Sequence, residues 1–170
     1  MYDTTPLDAT PETANTFTGN FSIQFDISAA QAGSSFGVML ANPASEESNT
    51  GLLALFNVDV NQTNDTIRFF RFSTLSTGKA GTQVGSTVSG PAMDLSTDAS
   101  PTWTTLKLDY SVVDGAPQLE MTVGALTATS TYTASELITE PELAIRMYDP
   151  KTDSGTARVD NLSIESASGL

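Results

Sequence analysis

The residues best able to do chemistry lie in Ile67-Arg68-Phe69-Phe70-Arg71-Phe72. In an extended chain alternate residues share a face. Arg68, Phe70 and Phe72 therefore stand on one side, and Ile67, Phe69 and Arg71 on the other. One set must enter the core, and either choice leaves an arginine beside an aromatic ring outside it. Aromatic faces stack on the apolar faces of sugar rings, and guanidinium forks bond hydroxyls or carboxylates. Arg146, alternating with Tyr148 on a later segment, is a candidate for the same surface. The chain has 7 basic residues against 20 acidic ones, so this clustering of positive charge points to an acidic glycan. The plainer alternative is structural, with arginine stems lying along a sheet and pairing with strand carboxylates.

Oxygen ligands for a hard cation form a second constellation. Asp59, Asn61, Asn64 and Asp65 fall within one polar turn, Asp149 and Asp153 flank another, and Asp160 and Asn161 adjoin near the end of the chain. None fits the EF-hand loop pattern, and Asx-rich segments commonly serve as turns alone. Calcium in a structural role is the one cofactor these residues suggest.

The usual catalytic reagents are missing. With no His and no Cys, the chain lacks the commonest general base, a thiol nucleophile and any Ser-His-Asp triad. Two facing carboxylates would suffice for a glycosidase, and Asp26, Asp59, Asp109, Glu120 and Glu142 are strand candidates. Each alternates with apolar residues, as a solvated sheet face would, and the expectation is a protein that is not an enzyme. A net charge of -13 repels phosphate backbones and anionic lipid, which argues against nucleic acid and membrane partners. Trp103, the single Trp, is expected to plug one end of the core rather than to stack on a sugar.

The elements that must position these groups are strands. Phe21, Ile23, Phe25 and Ile27 alternate with Ser22, Gln24 and Asp26, the period of a half-buried strand. Phe36–Leu40 follows, and residues 52–73 read as a hairpin around the polar turn. Ser73 to Ser100, rich in Gly and Ser, reads as a long loop with short strands around Val84 and Val88. Leu106, Leu108, Tyr110 and Val112 alternate up to Asp114-Gly115, a strong hairpin signal. Strands around 119–123, 126–133, 143–147 and 156–165 complete the set, with one helical turn at 134–138 stopped by Pro141. In the last strand Ala157 and Val159 follow one parity and Leu162 and Ile164 the other, which requires a bulge at Asp160-Asn161. The fold class is all-β: a two-sheet antiparallel sandwich of about nine to ten strands. Residues 1–16 read as a linker and first edge strand, and 17–170 as a single domain. The start shows no leader pattern and reads as a domain boundary.

The order of elements, from Phe21-Ser22-Ile23-Gln24-Phe25-Asp26 through Gly37-Val38-Met39-Leu40, Trp103–Tyr110 and Asp114-Gly115 to Val159-Asp160-Asn161-Leu162-Ser163-Ile164, resembles the laminin-G-like, concanavalin-A-like jelly-roll modules of bacterial extracellular proteins, over residues 17–166. The resemblance implies two stacked sheets, one of them concave, with frequent sugar binding and frequent structural calcium. Asp160 matches the last-strand acidic residue that in such modules helps hold calcium, which would make Asp8 and Glu12 its N-terminal partners. The chain departs from the enzymes of that superfamily, having neither the Glu-x-Asp-x-x-Glu strand of family 16 hydrolases nor the His of the related lyases. The expected function is a non-catalytic carbohydrate-binding module on a concave sheet, attached to a larger secreted protein, monomeric, with an anionic polysaccharide as partner. The alternative is a calcium-stabilised structural or adhesive module of a cell-surface protein.

Overall fold

A computed structural model describes residues 19–41, 51–72, 81–96, 100–138, 141–148 and 157–166. Asp8, Glu12, the expected first edge strand and the turn at 149–155 lie outside them. Ten strands are described: β1 Phe21–Ser28, β2 Ser35–Ala41, β3 Gly51–Asn57, β4 Asn64–Phe72, β5 Thr82–Pro91, β6 Thr104–Val113, β7 Ala116–Val123, β8 Leu126–Thr131, β9 Glu142–Tyr148 and β10 Arg158–Ser166. They form two antiparallel five-stranded sheets, β10-β1-β6-β7-β8 and β5-β4-β3-β2-β9. The expected short helical turn is a single 3-10 turn at Ala134–Glu136.

Period-two patterning decides which face of each strand is buried. Phe21, Ile23, Phe25 and Ile27 of β1 face inward with Leu106, Leu108 and Tyr110 of β6 and Leu119, Met121 and Val123 of β7. The second sheet answers with Phe36, Val38, Leu40, Leu52, Ala54, Phe56, Ile67 and Phe69. Phe21 stacks on Tyr110 with centroids 4.9 Å apart, and the Tyr110 hydroxyl donates to the Ile138 carbonyl at 3.2 Å.

Turn chemistry sets the register. Asp114 (φ 52°) and Gly115 (φ 77°) both take the left-handed conformation that a two-residue hairpin of this type needs. The bulge required in the last strand is present: Gln24 pairs with Ser163 but Asp26 with Asp160, so β10 carries one extra residue. Asn161 absorbs it at φ 53°, which lets both apolar parities of β10 meet the core.

Two expectations are corrected. Residues 82–91 form one ten-residue edge strand instead of a loop with short strands. A register shift opposite Ile67–Phe69, with Gly85 at φ 70°, breaks the alternation that would have marked it. Trp103 does not plug the core; it is 40% exposed. It precedes β6, whose buried positions are Leu106, Leu108 and Tyr110.

Candidate functional site

The parity of residues 67–72 is settled by β3. Ile67 pairs with Phe56 and Phe69 with Ala54 on the core side, which turns Arg68, Phe70 and Phe72 to the opposite face of the second sheet. Register then places the other candidates. Arg146 pairs with Gly37, Gly37 with Leu55, and Leu55 with Arg68. The two arginines thus close the ends of one row across β9, β2, β3 and β4, with backbones about 14 Å apart at ~4.8 Å per strand step. The next row reads Tyr148, Ser35, Asn57 and Thr66. The following two rows hold Ala144, Met39, Leu53 and Phe70, then Glu142, Ala41, Gly51 and Phe72.

This face is graded from polar and cationic to apolar. Met39, Ala41, Leu53, Leu55, Phe70 and Phe72 form a second apolar cluster outside the main core. Phe70 and Phe72 are only 6% and 4% exposed, so their rings are floor and not stacking platforms. The Arg68 guanidinium lies over the Phe70 ring, 5.6 Å from its centroid, a cation–π contact that holds the fork above the sheet. Tyr148, 48% exposed, is the accessible aromatic. Gly37 leaves the centre of the arginine row low: a Cβ there would meet the Ala54 carbonyl and the Leu53 and Leu55 methyls. Sequence reasoning missed Asn57, because its neighbourhood to Arg68 depends on the register of β3 with β4.

Arg71 does not join this group. It stands on the other parity and forks onto Glu136 of the 3-10 turn, through Nε to Oε1 and through Nη2 to Oε2 at 3.2 Å. Burial pushes the Glu136 carboxyl up, but hydrogen bonds from Arg71 and Thr133 outweigh it and leave the group below its ordinary value. The same contact raises the Arg71 guanidinium. Arg71 is a clamp at the end of the sandwich, beside a cavity of about 490 Å³ lined by Leu52, Phe72, Glu136, Leu137 and Ile138.

The acidic turn is built as a turn. Asp59 Oδ2 accepts from the Thr63 hydroxyl at 2.6 Å, the Thr63 N–H at 2.9 Å and the Asn64 N–H at 3.3 Å. These bonds, the Thr63 hydroxyl first, hold the Asp59 carboxyl down to about 2. Asp65, 1% exposed, accepts the Asp59 N–H at 2.9 Å and the Met93 N–H at 2.7 Å. Asp59 Oδ2 and both Asp65 oxygens are thus engaged by donors of the turn and of Met93, a role that holds the turn without a cation; Asn61 is exposed beside them. Asp160 is exposed opposite Asp26, whose carboxyl accepts from Asn161 Nδ2 and Thr105 Oγ1 at 2.8 Å each. Those bonds lower the Asp26 carboxyl. Among the described residues this place supplies two carboxylates and an amide, against the six to eight oxygens calcium takes; Asp8 and Glu12, its expected partners, lie outside them. Among the described residues no three acidic side chains gather as a metal group.

The outer face of the first sheet has the opposite charge. Glu165, Ser22, Asp109, Glu120 and Thr129 form one row, with Asp26 and Asp160 in another. Lys107 bonds Asp109 at 2.9 Å and Thr129 donates to Glu120 at 3.0 Å. The strand carboxylates Asp26, Asp109 and Glu120 thus sit on a solvated face, Glu142 at the far apolar edge of the second sheet, and Asp59 in its turn. Burial raises the hydroxyls of Tyr110 and Tyr132 above the ordinary tyrosine range.

No protein-family model and no curated protein matches the sequence. Solved structures match in shape. The chain is similar to the carbohydrate binding module CBM66 from Bacillus subtilis, with TM-score 0.56 and 16% identity over 87% of this chain and 76% of that one. It is similar to alginate lyase A1-II′, a member of polysaccharide lyase family-7, with TM-score 0.54 and 13% identity over 94% and 67%. A legume lectin-like domain from Entamoeba histolytica gives TM-score 0.53 and 15% identity over 88% and 73%. At these identities the likeness is one of fold: the chain has the two-sheet jelly-roll sandwich fold of these structures, the architecture that the sequence resemblance implied.

Proposed function

We propose that the chain is a non-catalytic carbohydrate-binding module that takes an anionic polysaccharide on the outer face of its second sheet. The observation that carries this reading is the register row from Arg146 through Gly37 and Leu55 to Arg68, beside Tyr148 and Asn57. In a chain of net charge -13, this face has two arginines, and its one described carboxylate, Glu142, lies two rows away. A negatively charged polymer is repelled by the other sheet and drawn to this one. Tyr148 offers a ring for stacking and the arginines offer forks for carboxylates. The fold neighbours that are named as a binding module and a lectin-like domain agree with this use of the sandwich. Polymers of this kind lie outside cells, so the reading carries with it an extracellular setting and attachment to a larger secreted protein.

The test is electrophoresis in native gels cast with alginate, polygalacturonate or neutral dextran, each with calcium and with chelator. Retention by the anionic polymers, equal in both media and at least tenfold weaker for an Arg68→Ala, Arg146→Ala double variant, is expected. Loss of retention in chelator would replace arginine forks with a metal bridge. No retention by any polymer would favour the structural or adhesive alternative. The lyase neighbour is the one observation favouring an enzyme, and that reading requires the polymers to be cleaved during incubation; intact polymer is expected.

A further inference from the structure

Among the described residues, Asn57 Nδ2 and Arg68 Nε are both buried side-chain nitrogens with no hydrogen-bond partner. They are not scattered. Leu55 pairs with Arg68 and Asn57 with Thr66, so Asn57 and Arg68 occupy diagonal positions on one face of β3 and β4, within reach of long side chains. Buried donors are nearly always satisfied, and an unmet one destabilises the free protein. Here two residues with unmet donors hold diagonal register positions, and one of the donors belongs to a guanidinium propped on the Phe70 ring at 5.6 Å.

We infer that Asn57 and Arg68 form an oxyanion-holding subsite that sets the charge preference of the proposed glycan face. The inference rests on that reading of the face and deepens it. Both open positions are N–H donors. A sugar hydroxyl brings a proton as well as lone pairs and would leave its own donor without a partner there. A carboxylate or sulfate brings acceptors only, takes one N–H on each of two oxygens, and neutralises the Arg68 charge. The subsite therefore favours a polysaccharide carrying oxyanions over its neutral counterpart, because a neutral hydroxyl accepts from these donors without neutralising the Arg68 charge and brings a proton that finds no acceptor there.

The test compares the wild-type protein with Asn57→Ala, Asn57→Asp and Arg68→Lys in native gels containing polygalacturonate, dextran sulfate or dextran, with melting temperatures taken in parallel. Asn57→Asp aims a carboxylate at the bound oxyanion and is expected to weaken retention by the anionic polymers at least tenfold. Arg68→Lys keeps the charge but loses the Nε donor, and a several-fold loss is expected because a fork and a point charge are not equivalent. Asn57→Ala is expected to weaken retention while leaving the melting temperature unchanged or raised, since an unmet donor is removed; a purely structural Asn57 would lower it. If Asn57→Asp does not fold, Asn57→Ala supplies the reading by itself. The ratio between the two anionic gels tells carboxylate from sulfate. Wild-type retention by dextran as strong as by the anionic polymers, or variants that bind like wild type, would overturn the subsite and leave the glycan-binding reading standing. A wild-type protein retained in no gel would overturn both.

Discussion

Replacing Phe25 by alanine is expected to destabilise the domain by about 3–5 kcal/mol, the usual cost of removing a fully buried phenylalanine from a packed core. Phe25 is 0% exposed and lies in β1, which pairs with β10 on one side and with β6 on the other, opposite Leu106. Its ring belongs to the core cluster that residues of both sheets form, and pairing on both sides leaves the strand little freedom to collapse into the void. At roughly 2–4 °C per kcal/mol for a domain of this size, the melting temperature should fall by about 6–20 °C. Thermal and urea unfolding followed by circular dichroism check it. A loss under about 1 kcal/mol would mean that Phe25 is not packed in the core between the two sheets.

Asp65→Ala should cost about 2–4 kcal/mol for a different reason. The Asp65 carboxylate is buried and accepts backbone N–H groups from both sides: Asp59, six residues before it, and Met93, after the neighbouring edge strand β5. Truncation leaves both donors unmet in a buried place, the expensive half of losing a hydrogen bond to a charged group. The loss of melting temperature should be the same in calcium and in chelator, because these oxygens face N–H donors. A wild-type calcium-dependent rise in melting temperature that vanishes in the Asp65 variant would instead make Asp65 a ligand.

These two residues mark what was legible in the sequence. Phe25 sits in an uninterrupted alternation, and a period of two is set by backbone geometry, so inward and outward residues of β1, β6 and β7 could be read directly. Asp114-Gly115 was legible because few sequences tolerate two adjacent positive φ angles. The bulge at Asp160-Asn161 was legible as a parity conflict that only an extra residue resolves. Asp65 could be placed in a polar turn, but its partner Met93 is 28 residues away, so a latch and a metal ligand looked alike.

The candidate site was half legible for the same reason. Arg68, Phe70 and Phe72 had to share a face, but which face entered the core depended on β3, whose nearly continuous apolar run carries no parity of its own. Every residue from Gly51 to Phe56 is buried, because a second apolar cluster of Met39, Ala41, Leu53, Leu55, Phe70 and Phe72 lies on the far side of the sheet. Alternation puts Arg71 on the face opposite Arg68, but its role as a clamp was not legible, because its partner Glu136 is 65 residues away. Tyr148 and Arg146 were legible as candidates; their meeting with Asn57 and Arg68 across β2 and β3 depends on register, which is a property of the paired strands and not of either segment.

The central claim is that glycan binds the outer face of the sheet β5-β4-β3-β2-β9, and the direct measurement is an amide chemical-shift map of the isotope-labelled protein titrated with an oligogalacturonate. The expected result is a set of saturable shifts on Gly37, Leu55, Asn57, Arg68, Arg146 and Tyr148, with Lys107, Glu120 and Thr129 on the other sheet unmoved. Shifts gathered on that other face, or none at millimolar oligosaccharide, would contradict it.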